Sequence, residues 1–283
     1  MLLMSSTETA SVPQIEDVQA YWESHPLLSY EFEKPGSPKF FDELDRVKRQ
    51  DIERFAMKYW DFRAWRDKSV LDIGCGPGWV TVQYAAAGAK VTSVDLTQAA
   101  VDLCKKHLAY RGLEATVRQA NAENLPFPDN HFDMVFSSGV LHHTPDTRKA
   151  FDESFRVLKP GGKAKITLYR LGILHSPAVF SLTRRVMKIL GVKHPGADLG
   201  REATSVTDFI RQYDGKDNPI GIAKRDREWA KDLEAVGYRV LGWESHFFPK
   251  RFVPAGKILP AFVHHALDRG VGTMVYFHLT KPR

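Results

Sequence analysis

Residues 69–79 read Ser-Val-Leu-Asp-Ile-Gly-Cys-Gly-Pro-Gly-Trp, and this stretch decides the fold. A short apolar run gives way to glycines at the alternate positions Gly74, Gly76 and Gly78. The pattern predicts a buried parallel strand that ends in a tight turn and opens a helix. Because glycine has no Cβ, such a turn can adopt positive φ angles and let a flat ligand lie against the backbone.

The spacing of the glycines separates two kinds of nucleotide site. A dinucleotide site needs Gly-x-Gly-x-x-Gly, so that a pyrophosphate can bind the free N–H groups of the next helix. Here the spacing is Gly-x-Gly-x-Gly, and Pro77 removes one N–H donor from the turn. The turn therefore favours a ligand without a pyrophosphate. Two carboxylates flank it: Asp72 in the first strand, and Asp95 about twenty residues later, where an acid reaches ribose hydroxyls.

Five further motifs carry a family resemblance, and they follow the glycine turn in order along the chain. They are Val-Asp-Leu at 94–96, Asn-Ala-Glu-Asn-Leu-Pro-Phe at 121–127, Phe-Asp-Met-Val at 132–135, Gly-Val-Leu-His-His at 139–143 and Arg-Val-Leu-Lys-Pro-Gly-Gly at 156–162. With Leu-Asp-Ile-Gly-Cys-Gly-Pro-Gly, the set resembles class I S-adenosylmethionine-dependent methyltransferases of the ubiquinone/menaquinone-biosynthesis type (methyltransferase type 11). The resemblance implies S-adenosyl-L-methionine as cofactor and S-adenosyl-L-homocysteine as product.

Apolar and amphipathic segments alternate from residue 69 onward. Strands are predicted at 69–73, 90–95, 115–119, 132–138, 162–169, 238–244 and 271–280, and helices at 78–88, 97–111, 147–157 and 226–236. This order predicts an α/β fold, a Rossmann-like, seven-stranded and mostly parallel sheet with helices on both faces. Ligands of such sheets bind at the carboxyl ends of the strands, where the strand order reverses.

Two segments interrupt or precede this alternation. Residues 1–66 comprise a disordered start and two predicted helices, at 14–24 and 38–62, which either cover a sheet edge or form a lid over the cofactor. Residues 67–283 form the predicted methyltransferase domain. Within it, the insertion at 171–226 follows the fifth strand and holds a predicted helix at 179–190. We interpret it as a substrate cap; the alternative is a surface elaboration.

The resemblance also implies roles for individual residues. The glycine turn would approach the cofactor with its backbone, and Asp72 would lie near the methionine part. Asp95 would accept hydrogen bonds from both ribose hydroxyls. Asn121 stands at the adenine-edge position, where the family has Asp, and its amide oxygen can still accept a hydrogen bond. The implied cofactor contacts are Asp72, Gly74, Gly76, Gly78, Asp95, Leu96, Asn121, Ala122 and Ser138.

Candidate catalytic residues follow the fourth and fifth strands. A histidine has a suitable pKa to take a proton from a hydroxyl or amine, so His143, and less so His142, are candidate bases; a packing role is the alternative. Tyr169, at the end of the fifth strand, is a third candidate. Further pocket candidates are His175 in the insertion and Glu23 and His25 beside the N-terminal helix.

Composition narrows the class of protein. The chain has 283 residues, 43% of them hydrophobic and 26% charged, as expected of a globular domain. Its two cysteines suggest neither a disulfide framework nor a zinc site, and we expect no metal. The start of the chain lacks the pattern of a signal peptide, and the apolar cluster at 171–183 is too short to span a membrane. We expect a cytoplasmic protein, and a homodimer is compatible with the sequence.

Three functions remain open at this point. The first is methyl transfer to an oxygen, nitrogen or carbon of a small metabolite by in-line displacement. The second is RNA methylation, suggested by the net charge of +6 and by Arg184, Arg185, Lys188 and Lys193, although nucleic acid is the less favoured partner. The third is cofactor binding without catalysis. Apolar groups in the insertion suggest an apolar acceptor with an acidic group; they are Phe180, Leu182, Val186 and Ile189.

Overall fold

The computed structural model describes residues 13–26, 32, 34–172, 175, 181, 185, 206–211, 214–215, 217–248 and 260–283. Within them one sheet is formed by β1 (Ser69–Ile73), β2 (Lys90–Asp95), β3 (Thr116–Gln119), β4 (Phe132–Ser138), β5 (Leu158–Arg170), β6 (Ala223–Lys224), β7 (Arg239–His246) and β8 (Met274–Thr280). The strand order is β3-β2-β1-β4-β5-β8-β7, and β6 pairs with β5. The predicted α/β fold class is confirmed, with the two-residue β6 added to the seven predicted strands.

The direction of the strands places the ligand site. β1 runs parallel to β2 and β4, and β5 runs parallel to β4, whereas β8 is antiparallel to both β5 and β7. The chain winds from β1 outward to β3, then crosses back to β4 on the other side of β1. The carboxyl ends of β1, β2 and β4 therefore meet at the point where the strand order reverses, which is where a ligand binds in such sheets.

Helices cover both faces of the sheet. They are α4 (Trp79–Ala86), α5 (Gln98–Arg111), α6 (Thr147–Arg156), α7 (Val206–Arg211), α8 (Asp226–Val236) and α9 (Ala261–Val271). Thr97 caps α5, since its hydroxyl accepts a hydrogen bond from the N–H of Ala100 at 3.3 Å. α9 has no counterpart among the helices predicted from the sequence. Because α9 extends to Val271, the predicted start of the last strand at 271 is wrong, and β8 begins at Met274.

The N-terminal region differs from its prediction. A helix α1 covers Ile15–Ser24 as expected, but the single helix predicted over 38–62 is wrong. The chain forms α2 (Pro38–Val47), a π-helical turn and the short α3 (Ala56–Tyr59) instead. The break falls at Glu53, whose backbone leaves helical geometry and whose buried carboxylate accepts a hydrogen bond from Lys48 at 3.1 Å.

Two hydrophobic clusters lie on either side of the sheet. One contains Phe151 and Trp229 from α6 and α8, and the other contains Phe40, Trp60 and Trp79 from the N-terminal helices and α4. The N-terminal helices are thus part of the core rather than an appendage. Residues 1–12 of the predicted disordered start and most of the predicted helix at 179–190 lie outside the described residues.

Candidate active site

The three glycines of the turn after β1 share a backbone conformation but not an environment. Gly74, Gly76 and Gly78 all have positive φ angles, of 78°, 49° and 80°. A Cβ on Gly74 would lie 2.1 Å from a methyl carbon of Val140, and a Cβ on Gly78 would lie 2.7 Å from the Sγ of Cys104. A Cβ on Gly76 would have no atom within 4 Å. Packing therefore requires glycine at 74 and 78, whereas Gly76 borders open space where a ligand can approach.

Asp95 closes the turn from the end of β2. Its Oδ2 accepts a hydrogen bond from the N–H of Gly76 at 3.0 Å, and its Oδ1 accepts from the backbone N–H and hydroxyl of Thr97 at 3.0 and 2.9 Å. Burial raises the pKa of Asp95, and these hydrogen bonds act against the rise. A carboxylate offers about four lone pairs. Ribose hydroxyls that bind Asp95 therefore share its lone pairs with these internal bonds.

Asp72 is a buried acid next to this turn. Its Oδ2 accepts a hydrogen bond from the hydroxyl of Thr81 at 2.8 Å, and the same hydroxyl lies 2.8 Å from that of Ser93. Burial raises the pKa of Asp72 to about 7, and the nearby charge of Asp95 adds to the effect. No described cation forms an ion pair with Asp72. A cationic group of a bound ligand would stabilise its ionised form.

The predicted adenine-side residues lie at the carboxyl ends of β2 and β3. The Oδ1 of Asn121 accepts a hydrogen bond from the N–H of Glu123 at 2.9 Å, so its amide oxygen already holds a turn and has one lone pair left. Ala122 is buried, and Leu96 is partly exposed. The carbonyl of Leu96 accepts from the Gln119 side chain at 2.8 Å. The N–H of Ala120 donates to the carbonyl of Asp95 at 2.8 Å, so the segment that leads to Asn121 starts next to Asp95.

His107 supports the turn and was not identified from the sequence. It lies on α5, where its Nδ1 donates to the carbonyl of Pro77 at 3.0 Å while its ring stacks on Phe41 with centroids 4.4 Å apart. Burial lowers the pKa of His107 to about 4, so the ring is neutral near pH 7. A lone histidine on an otherwise amphipathic helix gives no sequence signal for this contact.

The turn of Gly74, Gly76 and Gly78 after β1 is called the cofactor turn from here on. The turn after β4 joins it to a second group of residues. Ser138 ends β4, and Val140 packs on Gly74 as described. His143 follows, with its Nδ1 2.6 Å from the carbonyl of Ile220, so Nδ1 carries a proton that it donates to this carbonyl. Its Nε2 lies 3.3 Å from the Oδ2 of Asp214. The structure thus brings His143 to residues of the insertion, beside the predicted reacting centre.

Tyr169 and His142 lie next to His143 but differ in their contacts. The hydroxyl of Tyr169 donates to the Oδ2 of Asp214, and its carbonyl accepts from the indole of Trp229 at 2.8 Å. His142 is completely buried, with its ring centroid 4.1 Å from that of Tyr169. Among the described residues neither nitrogen of His142 has a hydrogen-bond partner, and burial lowers its pKa well below the usual value. A catalytic role for either residue stays a prediction.

Helix α1 crosses this region and contacts both ends of it. The carboxylate of Glu23 accepts hydrogen bonds from the N–H groups of Gln98 and Ala99, both at 2.9 Å, at the start of α5. The Trp22 ring packs edge-on against His143, with centroids 5.4 Å apart. His25, the residue after α1, stacks on Tyr21 of that helix with ring centroids 4.6 Å apart. Of the two candidates beside α1, the structure therefore brings Glu23 to the cofactor side.

His175 contacts the backbone just before it. Its Nδ1 accepts a hydrogen bond from the N–H of Gly172 at 3.1 Å, and burial lowers its pKa. Within the described residues, no group of three or more His, Cys, Asp or Glu side chains is arranged to hold a metal ion. None of the helices in the described ranges combines the length and apolar character that a membrane crossing needs.

Comparison with known proteins gives these features a context. A model of the methyltransferase domain matches residues 71–166. The ubiquinone biosynthesis O-methyltransferase of Pseudomonas putida is 30% identical over 222 residues, covering 70% of this chain and 89% of that protein. An uncharacterised protein of Mycobacterium tuberculosis is 40% identical over 93 residues, so this chain spans about a third (34%) of the length of that relative. Residues 71–166, which the domain model matches, contain the glycine turn and Asp95.

The solved structures show the same fold at lower sequence identity. The cyclase SpnF superposes with a TM-score of 0.60 at 19% identity, covering 96% of this chain and 97% of that one. With the relatives above, the fold and the matched domain define an α/β enzyme of the methyltransferase class. The chain belongs to the S-adenosylmethionine-dependent methyltransferase family that includes the ubiquinone biosynthesis O-methyltransferases. The family resemblance stated from the motifs is confirmed, and S-adenosylmethionine is the cofactor.

The residues of the site fit that cofactor. Gly76 leaves open space beside the backbone, Asp95 is a carboxylate at the end of β2 within hydrogen-bond reach of this turn, and Asp72 is a buried acid with no ion pair among the described residues. A methionine ammonium would supply that positive charge. The turn contains Pro77 in place of a further N–H donor, so a pyrophosphate fits it poorly.

Proposed function

We propose that the protein transfers a methyl group from S-adenosylmethionine to an oxygen, nitrogen or carbon of a small molecule. The observation that carries this proposal is the direct packing of the cofactor turn on the turn after β4, through Gly74 and Val140. This contact supports a cofactor site beside the group formed by His143, Tyr169 and Asp214. We call this group with Tyr21 and Trp22 the acceptor pocket.

The chemistry needs alignment more than it needs a special catalyst. When bound, the cofactor supplies an electrophilic methyl carbon on a sulfonium. The protein has to hold the nucleophile in line with that carbon and to exclude water. Of the predicted catalytic residues, His143 and Tyr169 belong to the acceptor pocket. The buried His142 packs against Tyr169.

We further propose that α1 acts as a lid over both ligands. Glu23 binds the free N–H groups at the start of α5, next to the residues that hold the ribose. Two residues earlier, the hydroxyl of Tyr21 donates to the carbonyl of Asp214 at 2.5 Å, on the acceptor side. A single helix thus joins the two sides of the cleft, as a lid must do to exclude water.

The apolar acceptor with an acidic group stays a prediction, because the residues that suggested it lie outside the described ranges. The described part of the acceptor pocket is aromatic, with Tyr21, Trp22 and Tyr169. Aromatic side chains bury large areas and favour a flat, apolar ligand body. This supports the apolar part of the prediction.

A labelling experiment tests the proposed function. The purified protein is incubated with S-adenosylmethionine carrying a labelled methyl group and with a small-molecule extract. We expect label in at least one compound, and none with Asp95→Ala. If S-adenosylhomocysteine binds but no compound acquires label, the protein binds the cofactor without transferring the methyl group, and the proposal is wrong.

A further inference from the structure

The inference starts from the two nitrogens of His143, the residue that the sequence favoured as a base. Nδ1 donates to the carbonyl of Ile220 at 2.6 Å, and Nε2 faces Asp214 at 3.3 Å. Both nitrogens are therefore engaged with protein groups. The His143 side chain is 5% exposed, whereas that of Asp214 is 20% exposed. Of the two, Asp214 is the group that a ligand can reach.

Asp214 is held in place by contacts from three directions. The hydroxyl of Tyr169 and the Nε2 of His143 both approach Oδ2, and the hydroxyl of Tyr21 binds the backbone carbonyl. Gly215 permits the last contact, because a Cβ there would lie 2.2 Å from the Tyr21 hydroxyl. In the part of the chain that the structure describes, no hydrogen bond reaches Oδ1.

Hydrogen bonds join described residues on the two sides of Asp214. Asn218 is completely buried, and its Nδ2 donates to the carbonyl of Arg211 at 2.9 Å while Arg211 donates to the Asn218 carbonyl. The N–H of Asn218 also donates to Gly215 at 3.2 Å. A carboxylate with one oxygen contacted by two protein groups, and with no hydrogen bond from the described residues to the other, is suited to hold a ligand in a defined orientation.

We propose that Asp214 contacts the acceptor and that its Oδ1 takes the proton of the group that is methylated. This deepens the proposed function and rests on it. His143 and Tyr169 are then positioning residues, because they act through Oδ2 of Asp214. The acceptor's reacting group is a hydroxyl or a protonated or neutral amine, since a carbon nucleophile or a carboxylate offers Oδ1 no such N–H or O–H.

The proton and electron balance of the step is simple for a hydroxyl acceptor. The acceptor oxygen forms a bond to the methyl carbon as the bond from that carbon to sulfur breaks. The electron pair of the broken bond stays on sulfur, which becomes a neutral thioether. The hydroxyl proton moves to Oδ1, so the Asp214 carboxylate becomes a neutral carboxylic acid, and it returns its proton to solvent after the product leaves.

The test uses two cofactor-site ligands that differ at the methyl position. S-adenosylhomocysteine has a bare sulfur there, whereas sinefungin carries an amine-bearing carbon, so its amine probes what faces the acceptor side. We expect the wild-type protein to bind sinefungin more tightly than S-adenosylhomocysteine in calorimetry. We expect Asp214→Asn to reduce this preference roughly tenfold, since hydrogen bonds between charged groups contribute that much. Asp217→Asn, an exposed residue of the same loop, serves as control.

The possible outcomes separate the two proposals. Equal affinity of the wild-type protein for the two ligands overturns the assignment of Asp214 without any variant. An unchanged preference in Asp214→Asn, with S-adenosylhomocysteine still bound, overturns it as well. If neither ligand binds the wild-type protein, the proposed function itself fails.

Discussion

At the cofactor turn, glycine is required for two different reasons. Gly74 and Gly78 have no room for a Cβ because Val140 and Cys104 occupy that space, whereas at Gly76 the space is open. All three have positive φ, which costs an L-residue roughly 1–2 kcal/mol. A substitution at Gly74 or Gly78 is therefore expected to lower stability through packing, whereas a substitution at Gly76 is expected to affect cofactor binding.

Gly76→Ala is expected to weaken cofactor binding with a small loss of stability. We expect its Kd for S-adenosylhomocysteine to rise roughly tenfold, equivalent to about 1.4 kcal/mol. Gly74→Ala is the matched comparison, with overpacking against Val140 adding about 1–3 kcal/mol of destabilisation to the shared backbone cost. For both variants, calorimetry measures the Kd and urea unfolding measures the free energy of unfolding. Equal affinity of Gly76→Ala and wild type would show that the ligand does not lie against this glycine.

Asp72 predicts a pH dependence of cofactor binding. Its pKa is raised to about 7 from an ordinary value of 3.8, so below pH 7 the carboxyl of the free protein is mostly protonated. A bound ammonium favours the ionised form, so binding expels the proton. We expect affinity for S-adenosylhomocysteine to rise with pH by up to roughly tenfold per unit below pH 7 and to level off above it. Asp72→Asn should flatten the profile; an unchanged profile would contradict this role.

The sequence predicts the chemistry of individual residues better than their partners. The glycine turn and Asp95 follow from local spacing, and in the structure the N–H of Gly76 donates to the Oδ2 of Asp95 at 3.0 Å. The contacts of Asp214 with Tyr21 and Tyr169 cross 193 and 45 residues of chain, and no local pattern encodes them. The same holds for His107 beneath Pro77.

At the scale of elements, α1 is attached to the cofactor site by one charged contact. Glu23 binds the first N–H groups of α5, where the helix dipole favours a negative charge by about 0.3–1 kcal/mol. We expect Glu23→Ala to accelerate dissociation of S-adenosylhomocysteine roughly two- to fivefold, followed by tryptophan fluorescence in stopped flow. Glu16→Ala, on the exposed side of α1, is the control. Identical rates in both variants would contradict a lid function of α1.

α9 is joined to β7 by a buried pair. The Nδ1 of His246 lies 2.7 Å from Asp268, which also accepts from the N–H of Phe248 at 3.0 Å. Burial acts to lower the pKa of His246, but the hydrogen bond with Asp268 and the nearby carboxylate of Glu244 outweigh it and raise the pKa. Burial acts to raise the pKa of Asp268, and the contact with His246 outweighs it and lowers the pKa. The protonation states of His246 and Asp268 are thus linked to folding.

This pair predicts a pH window of stability. The raised pKa of His246 contributes stability below about pH 6.5 that is lost as pH rises through the folded pKa. The lowered pKa of Asp268 contributes stability above about pH 4 that is lost as pH falls through its folded pKa. We expect Asp268→Asn to reduce the free energy of unfolding by roughly 3–5 kcal/mol at pH 6 and by less at pH 9, in urea titrations. Asp152→Asn, from an exposed pair, is the control; a pH-independent loss would contradict the linkage.

Elements with a clear period were predicted well, and those held by tertiary contacts were not. Strands β1, β2 and β4 match their predicted ranges because their apolar runs end at glycine or polar residues. The helix over 38–62 was predicted as one piece because apolar residues recur at the helical spacing. The structure breaks it at Glu53, since the aromatic side chains of Phe55 and Trp60 turn inward to pack on the sheet.

For the whole molecule, the cleft is enclosed by segments distant in the chain. The sheet supplies the cofactor turn and Asp95, α1 contacts both His143 and the start of α5, and Asp214 and Ile220 of the insertion contact His143. The substrate cap at 171–226, most of which lies outside the described ranges, stays a prediction. The RNA alternative depends on cations at 184–193, which are also largely outside them. It stays a prediction, as do a homodimer and a cytoplasmic location.

The most direct test of the account is a calorimetric titration of the wild-type protein and Asp95→Ala with S-adenosylhomocysteine and, separately, with a nicotinamide dinucleotide. We predict that the wild-type protein binds S-adenosylhomocysteine and not the dinucleotide. We also predict that Asp95→Ala lowers the affinity by roughly a hundredfold, because a charged acceptor of ribose hydroxyls is lost. Dinucleotide binding in place of S-adenosylhomocysteine, or full affinity in Asp95→Ala, would contradict the assignment of the cleft.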